Sequence, residues 1–81
     1  METRVAVIGI IVKDTESTGR LNALLHEYGS YIIGRMGIPY QQRGINIVSI
    51  AIDAPNDVIS ALTGKIGRLP GINVKAAYAP L

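Results

Sequence analysis

Two segments of this chain are rich in β-branched residues and apolar on both of their alternating faces. They run from Arg4 to Val12 (RVAVIGIIV) and from Ile45 to Asp53 (INIVSIAID). A strand with one solvated face alternates apolar and polar side chains, and neither segment does so. Both are therefore predicted to be central strands, covered by helices on one face and by a second apolar surface on the other. The residues predicted to meet that second surface are Val5, Val7, Ile11, Ile45 and Ile47.

The size of the chain makes an uncovered apolar face costly. With 81 residues, 48% of them hydrophobic, a single core gives only marginal stability unless a staple or a partner adds to it. There is no cysteine, so a disulfide cannot supply that staple. Soluble monomers rarely leave several hundred Å² of apolar area in water. We therefore predict a homo-oligomer, either a dimer or a tetramer, that buries the sheet face.

Two further segments carry apolar residues at helical spacing. The first stripe comprises Leu21, Leu24, Leu25 and Tyr28, and the second comprises Ile59, Leu62, Ile66 and Leu69. Asp14 and Pro55 precede the stripes and suit helix starts, while Gly29 suits the end of the first helix. Gly64 and Gly67 weaken the second helix. They indicate either a closely approaching backbone or a frayed last turn.

The remaining apolar segments are predicted to be edge strands. They are Ser30–Met36 and Ile72–Ala79. Between the first of these and the third strand, the segment Gly37–Gly44 contains Pro39, which cannot donate to a ladder, so it is either a loop or a bulged edge. The order β-α-β-β-α-β predicts an α+β, ferredoxin-like fold in which both helices cover one face of a four-stranded antiparallel sheet. We expect one such domain over residues 1–81.

Charge and hydropathy exclude several classes of function. The formal net charge of +2 is too weak to indicate a nucleic-acid surface. No apolar run reaches the ~18 residues of a membrane span, and the first residues lack a signal-peptide pattern, so we expect a cytoplasmic protein without membrane contact. Lys65, Arg68 and Lys75 follow Asp57 with no further acid. They form either an ordinary solvated face or a weak anion-facing surface.

Residues able to do chemistry are sparse. His26 is the one histidine, there is no cysteine to pair with it, and the carboxylates have no metal-ligand spacing. We therefore predict no enzymatic activity, no cofactor and no metal. Arg35, Tyr40 and Arg43 concentrate donors around the predicted loop. They mark either a solvated tip or a site for a small anionic ligand or an acidic partner, because guanidinium groups pair bidentately with carboxylates.

Nearly the whole chain resembles a known group of proteins. The resembling segments are VAVIGIIV, RLNALLHEYG, SYIIGRMGIP and ALTGKIGRLPGINVKAAYA, the last being the most specific. They are similar to the ACT-like regulatory domains, and within them to the small bacterial family of iron-only hydrogenase system regulators. The resemblance implies a ferredoxin-like fold, oligomeric assembly and a regulatory role. The alternative is a structural assembly protein that takes no small-molecule ligand.

The chain is also similar to the C-terminal domain of the NikR-type nickel-responsive repressors, but the nickel ligands are missing. Counted from His26, the other three ligand positions of that domain fall on Gly37, Pro39 and Ile45. A lone imidazole cannot supply the ligand set of such a site, so no nickel binding is expected there. Those repressors carry a separate DNA-binding segment, for which one fold of 81 residues leaves no room. A transcriptional regulator of this kind would need a partner to contact DNA.

Overall fold

The computed structural model describes residues 2–80, which form one antiparallel sheet and two α-helices. The elements are β1 (Arg4–Val12), α1 (Thr18–Glu27), β2 (Ile32–Tyr40), β3 (Ile45–Ala54), α2 (Asn56–Gly67) and β4 (Ile72–Tyr78). The sheet order is β2-β3-β1-β4, so the two doubly apolar segments are the central strands, as predicted. The α+β, ferredoxin-like fold class is confirmed.

Only one face of the sheet belongs to the hydrophobic core. Along β1 the buried residues alternate, and the same side chains pack with the stripes of both helices. The core comprises Ala6, Ile8, Ile10, Val12, Leu21, Leu25, Val48, Ile50, Ile52, Ala54, Ile59, Leu62, Ile66 and Ile72. Leu24, Tyr28 and Leu69 are only partly buried at its margin. The helical spacing therefore identified the buried faces of α1 and α2.

The second strand is longer than the sequence predicted. Residues 37–40 continue β2, and Pro39 lies opposite Asn46 of β3. A proline is tolerated there because β2 is an edge strand, whose second row of N–H groups has no ladder partner. The loop prediction was therefore wrong for these four positions, and the edge alternative was right. The true connection is a short 3-10 turn, Gln41–Arg43, closed by Gly44 with a positive φ of 64°.

Polar contacts fix the start of α1. A 3-10 turn, Thr15–Ser17, precedes the helix, and the Asp14 carboxylate accepts a hydrogen bond from the backbone N–H of Glu16 at 2.9 Å. Ser17 is buried, and its hydroxyl donates to the carbonyl of Pro70 at 2.6 Å. This bond ties the beginning of α1 to the turn that precedes β4.

The two glycines of α2 differ in their surroundings. A Cβ on Gly67 would lie 3.4 Å from Cγ1 of Val74, whereas one on Gly64 would meet only the Arg68 side chain at 4.0 Å. A close neighbour is thus present at Gly67 and absent at Gly64. Within residues 2–80 no helix is long and apolar enough to cross a membrane.

Candidate functional site

The face of the sheet away from the helices is apolar and uncovered in the single chain. Residues directly opposite each other in antiparallel strands share a face, so the registers define its rows. From β2 to β4 the rows are Gly34, Ala51, Val7 and Ala77; Met36, Ser49, Gly9 and Lys75; Ile38, Ile47, Ile11 and Asn73; and Tyr40 with Ile45. We call this surface the open face.

Large apolar side chains on the open face are substantially exposed. The exposed fractions are 49% for Val7, 57% for Met36, 46% for Ile38 and 42% for Tyr40. Met36, Ile38 and Tyr40 lie on β2 and Val7 lies on β1, with β3 between them. The half-buried Ile47 of β3 and Ile11 of β1, in the row of Ile38, connect them into one apolar patch. Contiguous apolar patches of this kind mark interaction surfaces in soluble proteins.

The five residues predicted to form the interface all lie on this face. Val7 is exposed, and Val5, Ile11, Ile45 and Ile47 are half-buried by their neighbours in the sheet. Met36 and Ile38 were not predicted at the interface: Met36 is the last residue of the strand expected from the sequence, and Ile38 lies beyond it. The alternation of Met36, Ile38 and Tyr40 at every second position was the signal that could have found them.

A hollow interrupts the open face at Gly9. It has a volume of ≈ 400 Å³ and is lined by residues of β1, β3 and β4, including Ile11, Ser49 and Lys75. A Cβ on Gly9 would meet only the carbonyl oxygen of Lys75, at 3.9 Å. Glycine weakens the interior of a strand, and nothing in the single chain requires it at this position. Gly9 adds no side chain to the floor of the hollow.

One corner of the open face combines apolar and cationic side chains. A depression of ≈ 460 Å³ lies there, with Ile11, Ile45 and Ile47 on its apolar side and Lys13, Tyr40 and Arg43 on its polar side. The Tyr40 hydroxyl is 3.0 Å from Oε1 of Gln42, to which it donates. We call Lys13, Tyr40 and Arg43 the cationic corner. Its chemistry suits a small anion with an apolar portion, since two cations line the same depression as three isoleucines.

The structure does not bring Arg35 to this corner. Arg35 pairs with Ile50, whose side chain lies in the core on the helix side of the sheet. Its guanidinium donates to Oδ1 of Asn22 on α1 at 3.1 Å. The predicted cluster of Arg35, Tyr40 and Arg43 is therefore divided between two faces. Lys13, which the sequence analysis did not select, takes the place of Arg35.

His26 lies exposed near the end of α1. Over residues 2–80 no group of three or more His, Cys, Asp or Glu side chains is placed to hold a metal ion. The absence of a metal and of a cofactor remains a prediction of the sequence.

Comparison with protein families decides which group the chain falls in. A model of the TM1266-like family, described as "Iron-only hydrogenase system regulator, putative", matches residues 4–76. The chain belongs to this family. The family resemblance read from the sequence is thereby confirmed. No curated protein sequence matched the chain.

Solved structures agree with this assignment. The uncharacterized protein TM1266 from Thermotoga maritima superposes with a TM-score of 0.90 at 35% identity, over 95% of this chain and 98% of that one. The C-terminal domain of MgtC from Mycobacterium tuberculosis gives 0.74 at 12% identity, over 94% and 87%. A formyltetrahydrofolate deformylase from Pseudomonas putida KT2440 gives 0.65 at 15%, over 94% of this chain and 29% of the enzyme. The last two share the fold alone with this member of the TM1266-like family.

Proposed function

We propose that the chain is a non-enzymatic regulatory domain that assembles as a homo-oligomer through the open face and responds to a small organic anion bound at the cationic corner. The family description as a regulator supports the regulatory part. The observation that carries the assembly is the exposure of Val7, Met36 and Ile38 in one patch. A second copy of the chain is the occupant we infer for this surface.

The extent of the open face suits a pair of identical chains. Four strands about 4.8 Å apart and about eight residues long at 3.4 Å each give roughly 500 Å² per copy. Two copies together would bury roughly 1,000 Å², which reaches the lower limit of specific interfaces. A dimer of this kind would be modest in affinity and open to regulation.

The rows of the open face allow a two-fold pairing. A two-fold interface uses the same patch on both subunits. With the axis parallel to the strands and over the middle of the sheet, each row of one copy lies along the same row of the other in reverse strand order. Ser49 of β3 then lies over Gly9 of β1, where the hollow has room for it, and Met36 of β2 lies over Lys75 of β4.

The cationic corner lies at the margin of this interface. A carboxylate or phosphate there would pair with Lys13 and Arg43, and its apolar portion would rest on Ile11 and Ile45. A ligand bound at the margin between two subunits binds one arrangement of the subunits more tightly than any other arrangement. By linkage it shifts the population toward that arrangement, which a partner can then recognise.

The assembly is tested by Val7→Asp, which puts a charge on the open face without entering the core. We expect the wild-type chain to be a dimer or a higher oligomer in sedimentation equilibrium at about 100 μM. The Val7→Asp variant should be a folded monomer, because association would bury a carboxylate that has no partner. Circular dichroism checks the fold. Ser60→Asp, exposed on α2, adds the same charge to the helix layer and should leave the oligomer intact. A monomeric wild type, or an oligomeric Val7→Asp variant, would contradict the proposal.

The ligand is tested by thermal unfolding with a panel of amino acids, dicarboxylates and inorganic phosphate. A compound that binds only the native state, present at about 100 times its Kd, adds about 2.7 kcal/mol, which raises Tm by roughly 15 °C in a domain of this size. The double variant Lys13→Gln/Arg43→Gln should lose that increase, and Arg68→Gln on the helix side should retain it. If no compound raises Tm and one constant protein partner is recovered, the alternative of a scaffold without a ligand is favoured.

A further inference from the structure

A second surface lies on the opposite side of the molecule, between α1 and the end of α2. It is a shallow groove of ≈ 360 Å³. Its apolar part is formed by Ala23 and Leu24 of α1 and by Leu69, which follows α2. Leu24 and Leu69 pack against the core but remain partly exposed. We call this surface the helix groove.

Cationic side chains surround the apolar floor of the helix groove. Arg20, Lys65 and Arg68 line it, together with one carboxylate, Glu27. Lys65 is already paired, because its Nζ lies 3.5 Å from Oε2 of Glu27 and 5.1 Å from the centre of the Tyr28 ring. Interaction with the Tyr28 side chain and with the Glu27 carboxylate raises the pKa of Lys65.

The two arginines have no such partner. In the part of the chain that the structure describes, Lys65 with Glu27 is the one ion pair within 4.0 Å. Arg20 and Arg68 therefore flank the apolar floor with no carboxylate within 4.0 Å, and Arg20 also borders a separate depression that Asp14 and Glu16 line. Arginine presents a planar fork of donors that pairs bidentately with carboxylates. The groove thus combines an apolar floor with two vacant carboxylate-binding groups.

We propose that the helix groove is a docking surface for an acidic amphipathic segment of a protein partner. Apolar side chains of that segment rest on Leu24 and Leu69, and its carboxylates pair with Arg20 and Arg68. Recognition of an amphipathic helix in an apolar groove is a recurrent mode of peptide binding. The basic residues Lys65 and Arg68, for which the sequence left two interpretations open, then belong to an anion-facing surface rather than to a plain solvated face.

A protein segment fits the groove better than a nucleic acid does. The apolar floor has aliphatic side chains, which offer no ring on which bases could stack. The Glu27 carboxylate within the groove repels phosphates. A nucleic-acid surface gains most of its affinity from many phosphate contacts, and the groove has only two unpaired cations.

This inference goes beyond the proposed assembly and does not depend on it. The helix groove and the open face lie on opposite sides of the sheet, so both can be occupied at once. A dimer joined through the open faces would present two helix grooves outward and could bind a partner with two acidic segments more tightly than with one.

The test uses a defined probe, a synthetic peptide of about 14 residues, or four helical turns, with leucines along one stripe and glutamates beside them. Binding to the full chain is followed by fluorescence anisotropy at low and moderate salt. The double variant Arg20→Gln/Arg68→Gln should weaken binding by about ten-fold, since two charge-assisted contacts are lost. Leu24→Ala should also weaken it. Lys13→Gln/Arg43→Gln removes the same charge from the other side and should have no effect.

Three results would overturn the inference. In the first, the peptide does not bind, or the double variant binds it as well as the wild type does. In the second, a matched peptide with glutamine in place of glutamate binds equally well, so that charge is irrelevant. In the third, a DNA duplex binds more tightly than the peptide and depends on the same two arginines, so that the groove is a nucleic-acid surface. Val7→Asp, which tests the open face, should leave peptide binding by each chain unchanged.

Discussion

Gly71→Ala is expected to lower the free energy of unfolding by about 3 kcal/mol, because alanine meets two separate penalties at this position. Gly71 has a positive φ of 68°, which L-residues rarely adopt. An added Cβ would also lie 2.5 Å from Cβ and 3.0 Å from the backbone N of Asp14. The collision is with a backbone that cannot simply rotate away. Relief would pull apart the hydrogen bond from Lys13 N–H to the Gly71 carbonyl, now 2.7 Å.

Gly44→Ala provides the matched control for this prediction. Gly44 has nearly the same backbone conformation, with φ of 64°, but nothing lies within 4 Å of its missing Cβ. Its substitution should therefore cost about 1 kcal/mol, from backbone strain alone. Urea unfolding of both variants measures the difference. Equal losses would show that strain, and not the contact with Asp14, makes Gly71 necessary. For a chain of this size, with a total stability of roughly 4 to 12 kcal/mol, the larger loss is a substantial fraction.

Neighbouring residues of β1 should respond very differently to truncation. Ile8 is completely buried between the sheet and the helices, and Ile8→Ala is expected to cost about 2 to 5 kcal/mol through lost burial and the cavity left behind. Val7 points the other way and is 49% exposed. At concentrations where the chain is monomeric, Val7→Ala should change stability by less than about 1 kcal/mol.

The comparison also reports on the proposed assembly, because the cost of Val7→Ala should grow with protein concentration. A side chain covered only in the oligomer contributes to stability through association, which follows mass action. Chemical unfolding of both variants at low and high protein concentration measures this. An Ile8→Ala variant as stable as the wild type would show that the core faces were assigned wrongly. A concentration-independent Val7→Ala variant would count against burial of Val7 in a dimer.

The order of elements and the two faces of the central strands could be predicted from sequence. Apolar spacing is local, and it is the same wherever an element packs, so Ile8 and Leu62 were identifiable as buried and Val7 and Ile47 as belonging to a second face. The edge strand was harder to predict. Pro39 looks like a break in a strand, and only the position of β2 at the sheet margin makes it acceptable.

The candidate site residues also differ in whether the sequence could predict them. Tyr40 and Arg43 could be selected because they are neighbours in the chain, whereas Arg35 was grouped with them wrongly. Arg35 and Tyr40 are five positions apart in one continuous strand, so they point to opposite faces of the sheet. The expected loop at residues 37–44 concealed this, and only the pairing of residues 37–40 with β3 shows that the strand continues.

The sequence by itself determined that this chain forms a ferredoxin-like sheet with more apolar surface than its own helices can cover. That conclusion follows from residue spacing and chain length alone. Only the tertiary structure decided which polar groups accompany the apolar surfaces. Lys13 and Arg43 line one depression, and Arg20 and Arg68 line another, although the members of each pair are far apart in the chain. Strand register and helix packing, which depend on long-range contacts, set these groupings.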